Sequence, residues 1–289
     1  VKYRVRHSTT YVYRSPVDLA THMVHLSPRA MAHQRILATT LAAEPAPVRS
    51  TEAVDHFGNR VTWMFLDLPH ERFEVTMEAV VDVGFPPPPV AAETPPWEEV
   101  AAAARAGGAA WQAAEYTFDS PMVAHEPAAG TYAAPSFPPG RPVLEGVRDL
   151  TSRIRREFAF RAGVTTISTP VSKVLQLRAG VCQDFTHLMI AGLRCLGLPA
   201  RYVSGYIRTT PPRGPVGGRG ADQTHAWVGA WLGSRHGWVD FDPTNDLIVA
   251  DEHVVLGWGR DYGDVSPVRG VILGGGRHGM TVSVDVEPG

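Results

Sequence analysis

Along the first 85 residues, apolar and polar side chains alternate with a period of two. Tyr3, Val5, His7, Thr9, Tyr11 and Tyr13 share one face of an extended chain, and Phe73, Val75, Met77, Ala79, Val81 and Val83 do the same further on. This pattern predicts β-strands with one buried face. Between them, "DHFGNRVTWMFLDL" sets Gly58 and Asn59 ahead of Val61, Trp63 and Phe65, a turn feeding another alternating strand. Residues 1–85 therefore read as an antiparallel β domain. The run "FPPPPVAAETPP" then halts regular structure, because proline lacks the amide donor and restricts the residue before it. The Pro/Ala/Gly-rich stretch 86–140 reads as a connector, with one or two short helices around Trp97 to Tyr116.

From Pro142 the period changes. Val143, Val147, Leu150, Ile154 and Phe158 recur at three or four residues and predict a helix, and a second is expected over Val171 to Leu177. A third starts at Cys182, carries Phe185, Leu188, Met189, Gly192, Leu193 and Leu196 on one stripe, and stops at "GLP", Gly197 to Pro199. The strand-like segments "RYVSGYIRT", "HAWVGAWL" and "GWVDFDPT" follow, interrupted by the glycine-rich "PPRGPVGGRGAD". Helices ahead of strands predict an α+β unit over residues 141–289.

Composition narrows the function classes. The chain of 289 residues is long enough for two domains, and with 44% hydrophobic residues, 19% charged residues and a formal net charge of −2 it favours neither disorder nor a nucleic-acid surface. No apolar run approaches the roughly 18 residues of a membrane span, and "VKYRVRHSTTYVYRSPV" has no apolar signal segment, so a cytoplasmic protein is expected. Cys182 and Cys195 fall on one predicted helix, roughly 20 Å apart at about 1.5 Å per residue, and are expected to be free thiols in a reducing compartment. His22 and His25 are oddly spaced on an extended chain and have no clustered cysteines or carboxylates, so no metal is expected. "GPVGGRG" lacks the flanking strand and helix of a phosphate-binding loop and reads as a flexible loop ahead of His225 that could gate a cleft; no cofactor is expected.

Candidate chemistry centres on Cys182. A thiol at a helix N-terminus meets unpaired N–H groups and the positive end of the macrodipole, which stabilise a thiolate; the opposing reading is a buried small hydrophobe. Downstream, "THAWVGAW" and "GWVDFDPTN" place His225 and Asp242 at strand termini. A thiolate, an imidazole and a carboxylate orienting that imidazole are the residue types that cysteine acyl transfer requires. Together with "GVCQDFTHLMIAGLRCLGLPARYVSGY", these segments resemble the core blocks of the transglutaminase-like superfamily. "HSTTYVYRSPV" and "DHFGNRV" resemble the N-terminal β domain of its bacterial members, and "GRDYGDVSPVRGV" their C-terminal segment.

The resemblance implies a papain-like, transglutaminase-like core, with Cys182 as nucleophile, His225 as general base and acid, and Asp242 as orienting carboxylate. It also implies acyl transfer on a peptide, protein or amide-containing small molecule; water and an amine both stay open as acceptors, and hydrolysis is taken as slightly ahead of transamidation. The alternatives are a non-catalytic peptide-binding module and an enzyme forming amide bonds in a small metabolite.

Several neighbours compete for roles. Asp240 shares a strand face with Asp242 and is a rival orienter. Asp184 lies in the first helical turn, where an acid meets the dipole favourably yet would oppose a nearby thiolate. His187 points about 140° away from Cys182. Gln176, six residues before Cys182, sits in an apolar helical run, so the Cys182 N–H is the better oxyanion donor. Cys195 is expected to be packed and unreactive, and Trp227, Trp231, Trp238 and Trp258 to pack the sheet.

Overall fold

The alternation of the first strand holds from Tyr3 to Tyr13, and beyond register shifts around Val17 the buried phase passes to Ala20 and His22. The structure, a computed structural model, describes residues 1–208 and 223–289. Lys2–Val24 is one strand that buries Tyr3, Val5, His7, Thr9, Tyr13 and Val17. It is the axis of a seven-stranded antiparallel sheet in the order Gln34–Glu44, His70–Val83, Lys2–Val24, Arg60–Leu66, Arg49–Val54; Val268–Gly274 and His278–Pro288 also pair with the first strand. The sheet is thus built from both ends of the chain, with Tyr3 opposite Pro288 and Tyr13 opposite His278. Phe73 to Val83 bury every second side chain, as their pattern predicts.

Arg60–Leu66 departs from the predicted phase. Val61 is buried, but Trp63 is 44% exposed, and the core takes Thr62, Met64 and Leu66 instead. Apolar residues occupy both parities here, so the pattern alone does not choose a face. Pairing with the first strand, Trp63 opposite Met23 and Leu66 opposite Ala20, chooses it, because a shift of one residue inverts every side chain.

The second unit stacks helices on a five-stranded antiparallel sheet, ordered Leu247–Ile248, Trp238–Asp242, Gln223–Trp231, Ala200–Ile207, His253–Gly259. Helices Val143–Glu157, Val171–Leu177 and Cys182–Cys195 form where the spacing places them, and Leu150, Ile154, Leu188 and Leu193 meet Val228 and Phe241 of the sheet in one core. Trp97–Ala106 and Trp111–Ala114 lie in the predicted stretch. A further helix, Pro127–Ala133, was not expected. It opens on proline, where a missing N–H costs nothing, and the Glu126 carboxylate accepts from the Ala128 N–H at 3.2 Å. It packs closely on the Cys182 helix: a Cβ at Gly192 would stand 2.9 Å from Ala133 Cβ and 3.3 Å from the Ala129 carbonyl oxygen. The small residues that read as connector are what permit this approach.

The five-stranded sheet's other face, with Val203, Trp227, Val249 and Val255, is covered by Met31 and Phe85. Polar brackets join the two units. Gln34 donates to the Val255 carbonyl at 2.7 Å and accepts from its N–H at 2.8 Å. Asn59 does the same to Trp258, at 2.8 and 3.0 Å. The "DHFGNR" turn that presents Asn59 is held by Asp55 Oδ1, which accepts from the Phe57 and Asn59 N–H groups.

Candidate active site

The helix that carries Cys182 begins there because Val181 is extended and the first helical bond runs from the Phe185 N–H to the Val181 carbonyl. Asp184 folds back as the cap: its Oδ2 accepts from the Val181 N–H and from Thr165 Oγ1, each at 2.7 Å. The carboxylate lies over Gly180, where a Cβ would come within 2.6 Å of Oδ2, so the glycine two residues before the cysteine makes room for it. Burial pushes the Asp184 carboxyl above its usual pKa, against the lowering effect of these two bonds. Asp184 is therefore a buried helix cap, and Cys182, half-buried, stands at the helix N-terminus.

The adjacent strands carry His225 and Asp242. His225 Nε2–H donates to Asp242 Oδ2 at 2.7 Å, and Cys182 acts electrostatically on the same imidazole, whose other nitrogen, Nδ1, is left for the thiol. Desolvation lowers the His225 pKa, but the bonds and charges of Asp242 and Cys182 outweigh it and bring the pKa up to about 10. Asp242 is fully buried. Desolvation would raise its pKa, yet bonds from His225, His253 and Asn245 and the imidazolium charge hold it well below the usual carboxylate range.

Local sequence explains how this carboxylate is fixed. In "DPTN", Asp242 Oδ1 accepts from the N–H groups of Thr244 at 2.9 Å and Asn245 at 3.2 Å, an Asx turn, while Asn245 Nδ2 donates to Oδ2 at 2.7 Å. His253, from the opposite edge of the sheet, brings Nε2 to 3.4 Å from the same oxygen. Asn245 and His253 were not singled out from the sequence. Asn245 had a readable signal, a short polar side chain three residues after an aspartate in a turn, whereas His253 arrives across strands. His225, Asp242 and His253 place their ligand atoms within 4.8 Å of one another, so among the described residues they could hold a cation, but only by giving up the His225–Asp242 bond.

The rival residues lie elsewhere. Asp240 accepts from the Trp227 indole N–H at 2.9 Å and faces Arg201, so the imidazole is left to Asp242. His187 Nε2 accepts from the Tyr262 N–H at 3.2 Å, and burial lowers its pKa to about 4, which keeps it neutral. Gln176 is exposed. Cys195 contacts the Glu126 carbonyl at 3.4 Å and His125 at 3.7 Å, and burial pushes its thiol pKa up. Trp227 and Trp231 are buried in the sheet. His22 stacks on Phe73 while His25 turns to Ser266 and Asp55, so the two share no ligand position. The loop "PPRGPVGGRGAD" lies outside the described residues.

A cysteine at a helix N-terminus, packed on an antiparallel sheet that carries a histidine bonded to an aspartate, belongs to a papain-like, α+β architecture. Residues 3–82 match the bacterial transglutaminase-like N-terminal region, and residues 132–243 match the transglutaminase-like superfamily. Over 291 residues the chain is 43% identical to the uncharacterized protein Rv2569c of Mycobacterium tuberculosis, covering 99% of this chain and 93% of the other. It is 34% identical over 284 residues to the uncharacterized protein ML0607 of Mycobacterium leprae, covering 98% and 97%. A crystal structure described as a "putative cysteine protease" of Cytophaga hutchinsonii superposes with a TM-score of 0.77 at 23% identity, covering 99% of this chain and 90% of that one. The chain belongs to the transglutaminase-like superfamily.

Proposed function

We propose that the protein catalyses cysteine-dependent acyl transfer through a thioester on Cys182, hydrolysing a peptide or carboxamide bond. The observation that carries this reading is the 2.7 Å His225–Asp242 hydrogen bond, with Cys182 at a helix N-terminus acting on the same imidazole. The Cys182 thiolate attacks the carbonyl carbon, and the Cys182 N–H receives the developing oxyanion. As the C–N bond breaks, the imidazolium of His225 gives its proton to the departing amine. His225, now neutral, takes a proton from the attacking water, and the thioester collapses to the free acid and the thiol. Asp242 orients the ring and stabilises its charged form.

The test is amide turnover by variants of matched folding stability. Cys182→Ala and His225→Ala should abolish turnover. Asp242→Asn should cost less than the roughly 10⁴ seen for the orienting aspartate of a serine triad, since a thiolate already formed needs no proton removed during attack. Wild-type turnover by Cys182→Ala would exclude covalent catalysis.

A further inference from the structure

A cavity of about 420 Å³ opens away from Cys182, His225 and Asp242, between residues 29–33, the Pro86–Pro89 segment and the five-stranded sheet. Its volume falls within the range usual for small-ligand sites, roughly 300–1,000 Å³. Arg201 lines it and is 8% exposed. The Trp258 and Trp238 rings pack on the guanidinium, their centroids 3.8 Å and 4.4 Å from its central carbon, which leaves recognition of a ligand to its N–H groups.

Those groups are poorly matched within the protein. Arg201 Nε is buried without a hydrogen-bond partner among the described residues. The facing carboxylate oxygen, Asp240 Oδ1, stands 3.9 Å from Nη2, beyond hydrogen-bond distance, and Asp240's other oxygen is taken by the Trp227 indole. Arg29 stacks 3.6 Å from the Trp258 ring, but its Nη1 already donates to the Phe57 carbonyl and to Asn59 Oδ1, each at 2.8 Å. A buried cation with an unsatisfied donor edge is costly to maintain without a partner.

The described residues lining the cavity include two arginines and one aspartate; Asp55 acts on Arg29 from behind Asn59, so Arg201, with Asp240 at 3.9 Å, is the lining cation left for a monoanion. A carboxylate fits the planar donor edge of a guanidinium. Phe85, Trp238 and the proline run supply apolar walls for the rest of the molecule. We propose that this cavity binds a small monocarboxylic acid with a flat apolar body, its carboxylate on Arg201 and its body between Trp238 and the proline segment. The site is separate from the acyl-transfer centre and does not depend on that chemistry.

Calorimetric titration of the full chain with 3-phenylpropionate, and with 3-phenylpropionamide as the uncharged control, tests the proposal. The acid should bind one to one and the amide at least tenfold more weakly. Arg201→Lys keeps the charge but loses the planar fork and should weaken the acid by tenfold or more. Trp238→Ala, at a half-buried position, should weaken both ligands and provides a second variant should Arg201→Lys not fold. Protein alkylated at Cys182 should bind the acid unchanged. Equal affinity for acid and amide, absence of saturable binding, or loss of binding on Cys182 alkylation would each overturn the proposal.

Discussion

Asp242 is held more firmly than a single bond to His225 would require. Two backbone N–H groups fix one oxygen, and Asn245 shares the other with the imidazole. Asn245→Ala removes a bond to a buried charge, worth about 1.5–3 kcal/mol, and should lower kcat/KM by roughly 10- to 100-fold without unfolding the chain; kinetics paired with circular dichroism checks this. His225 makes a separate prediction. Its pKa of about 10 lies above the ordinary 6.5, so its contribution to stability is complete below about pH 6.5 and is lost as pH rises through about 10. Proton NMR should find its midpoint well above 6.5, and Cys182→Ala and Asp242→Asn should each lower it. At this scale the sequence was informative wherever function and local chain coincide. Cys182, His225 and Asp242 stand in short blocks with their own helix or strand signals. His253 reaches Asp242 only through sheet pairing, and no local pattern announces it.

Among the elements, the helices with a regular apolar stripe were legible and the one without it was not. Val143–Glu157 and Cys182–Cys195 bury large side chains at helical spacing. Pro127–Ala133 buries chiefly Ala129, Tyr132 and Ala133, and its small residues mimic a linker. They permit close approach to the Cys182 helix, so Gly192→Leu should force the helices apart. Overpacking of this kind typically costs about 1–3 kcal/mol. The expected outcome is a lower Tm by several degrees in thermal denaturation, together with slower Cys182 chemistry as the helix shifts; an unchanged Tm would refute the close-packing argument. The inverted phase of Arg60–Leu66 teaches the same lesson for strands: with apolar residues on both faces, the partner strand decides which face is buried.

At the scale of the whole molecule, three buried histidines set an acid limit. His7, whose Nδ1 meets the Tyr206 hydroxyl at 3.1 Å between the two units, His22 against Phe73, and His187 beneath Tyr262 all have pKa values lowered to about 4, chiefly by desolvation. The unfolded chain takes up these protons below about pH 6.5, and the folded chain does so only near 4. Their contribution is therefore complete above 6.5 and is lost as pH falls toward 4, by roughly 1 kcal/mol per histidine per pH unit. Urea midpoints should fall steadily from pH 7 to 4.5, and replacing His22 by Phe should flatten that slope. The central claim, that Cys182 is an activated nucleophile facing His225, is tested most directly by iodoacetamide labelling of the folded full chain near neutral pH, with peptide mapping of both cysteines over time. Cys182 should label far faster than Cys195, and His225→Ala should slow Cys182 selectively. Equal labelling of the two thiols, or a Cys182 rate indifferent to His225, would contradict it.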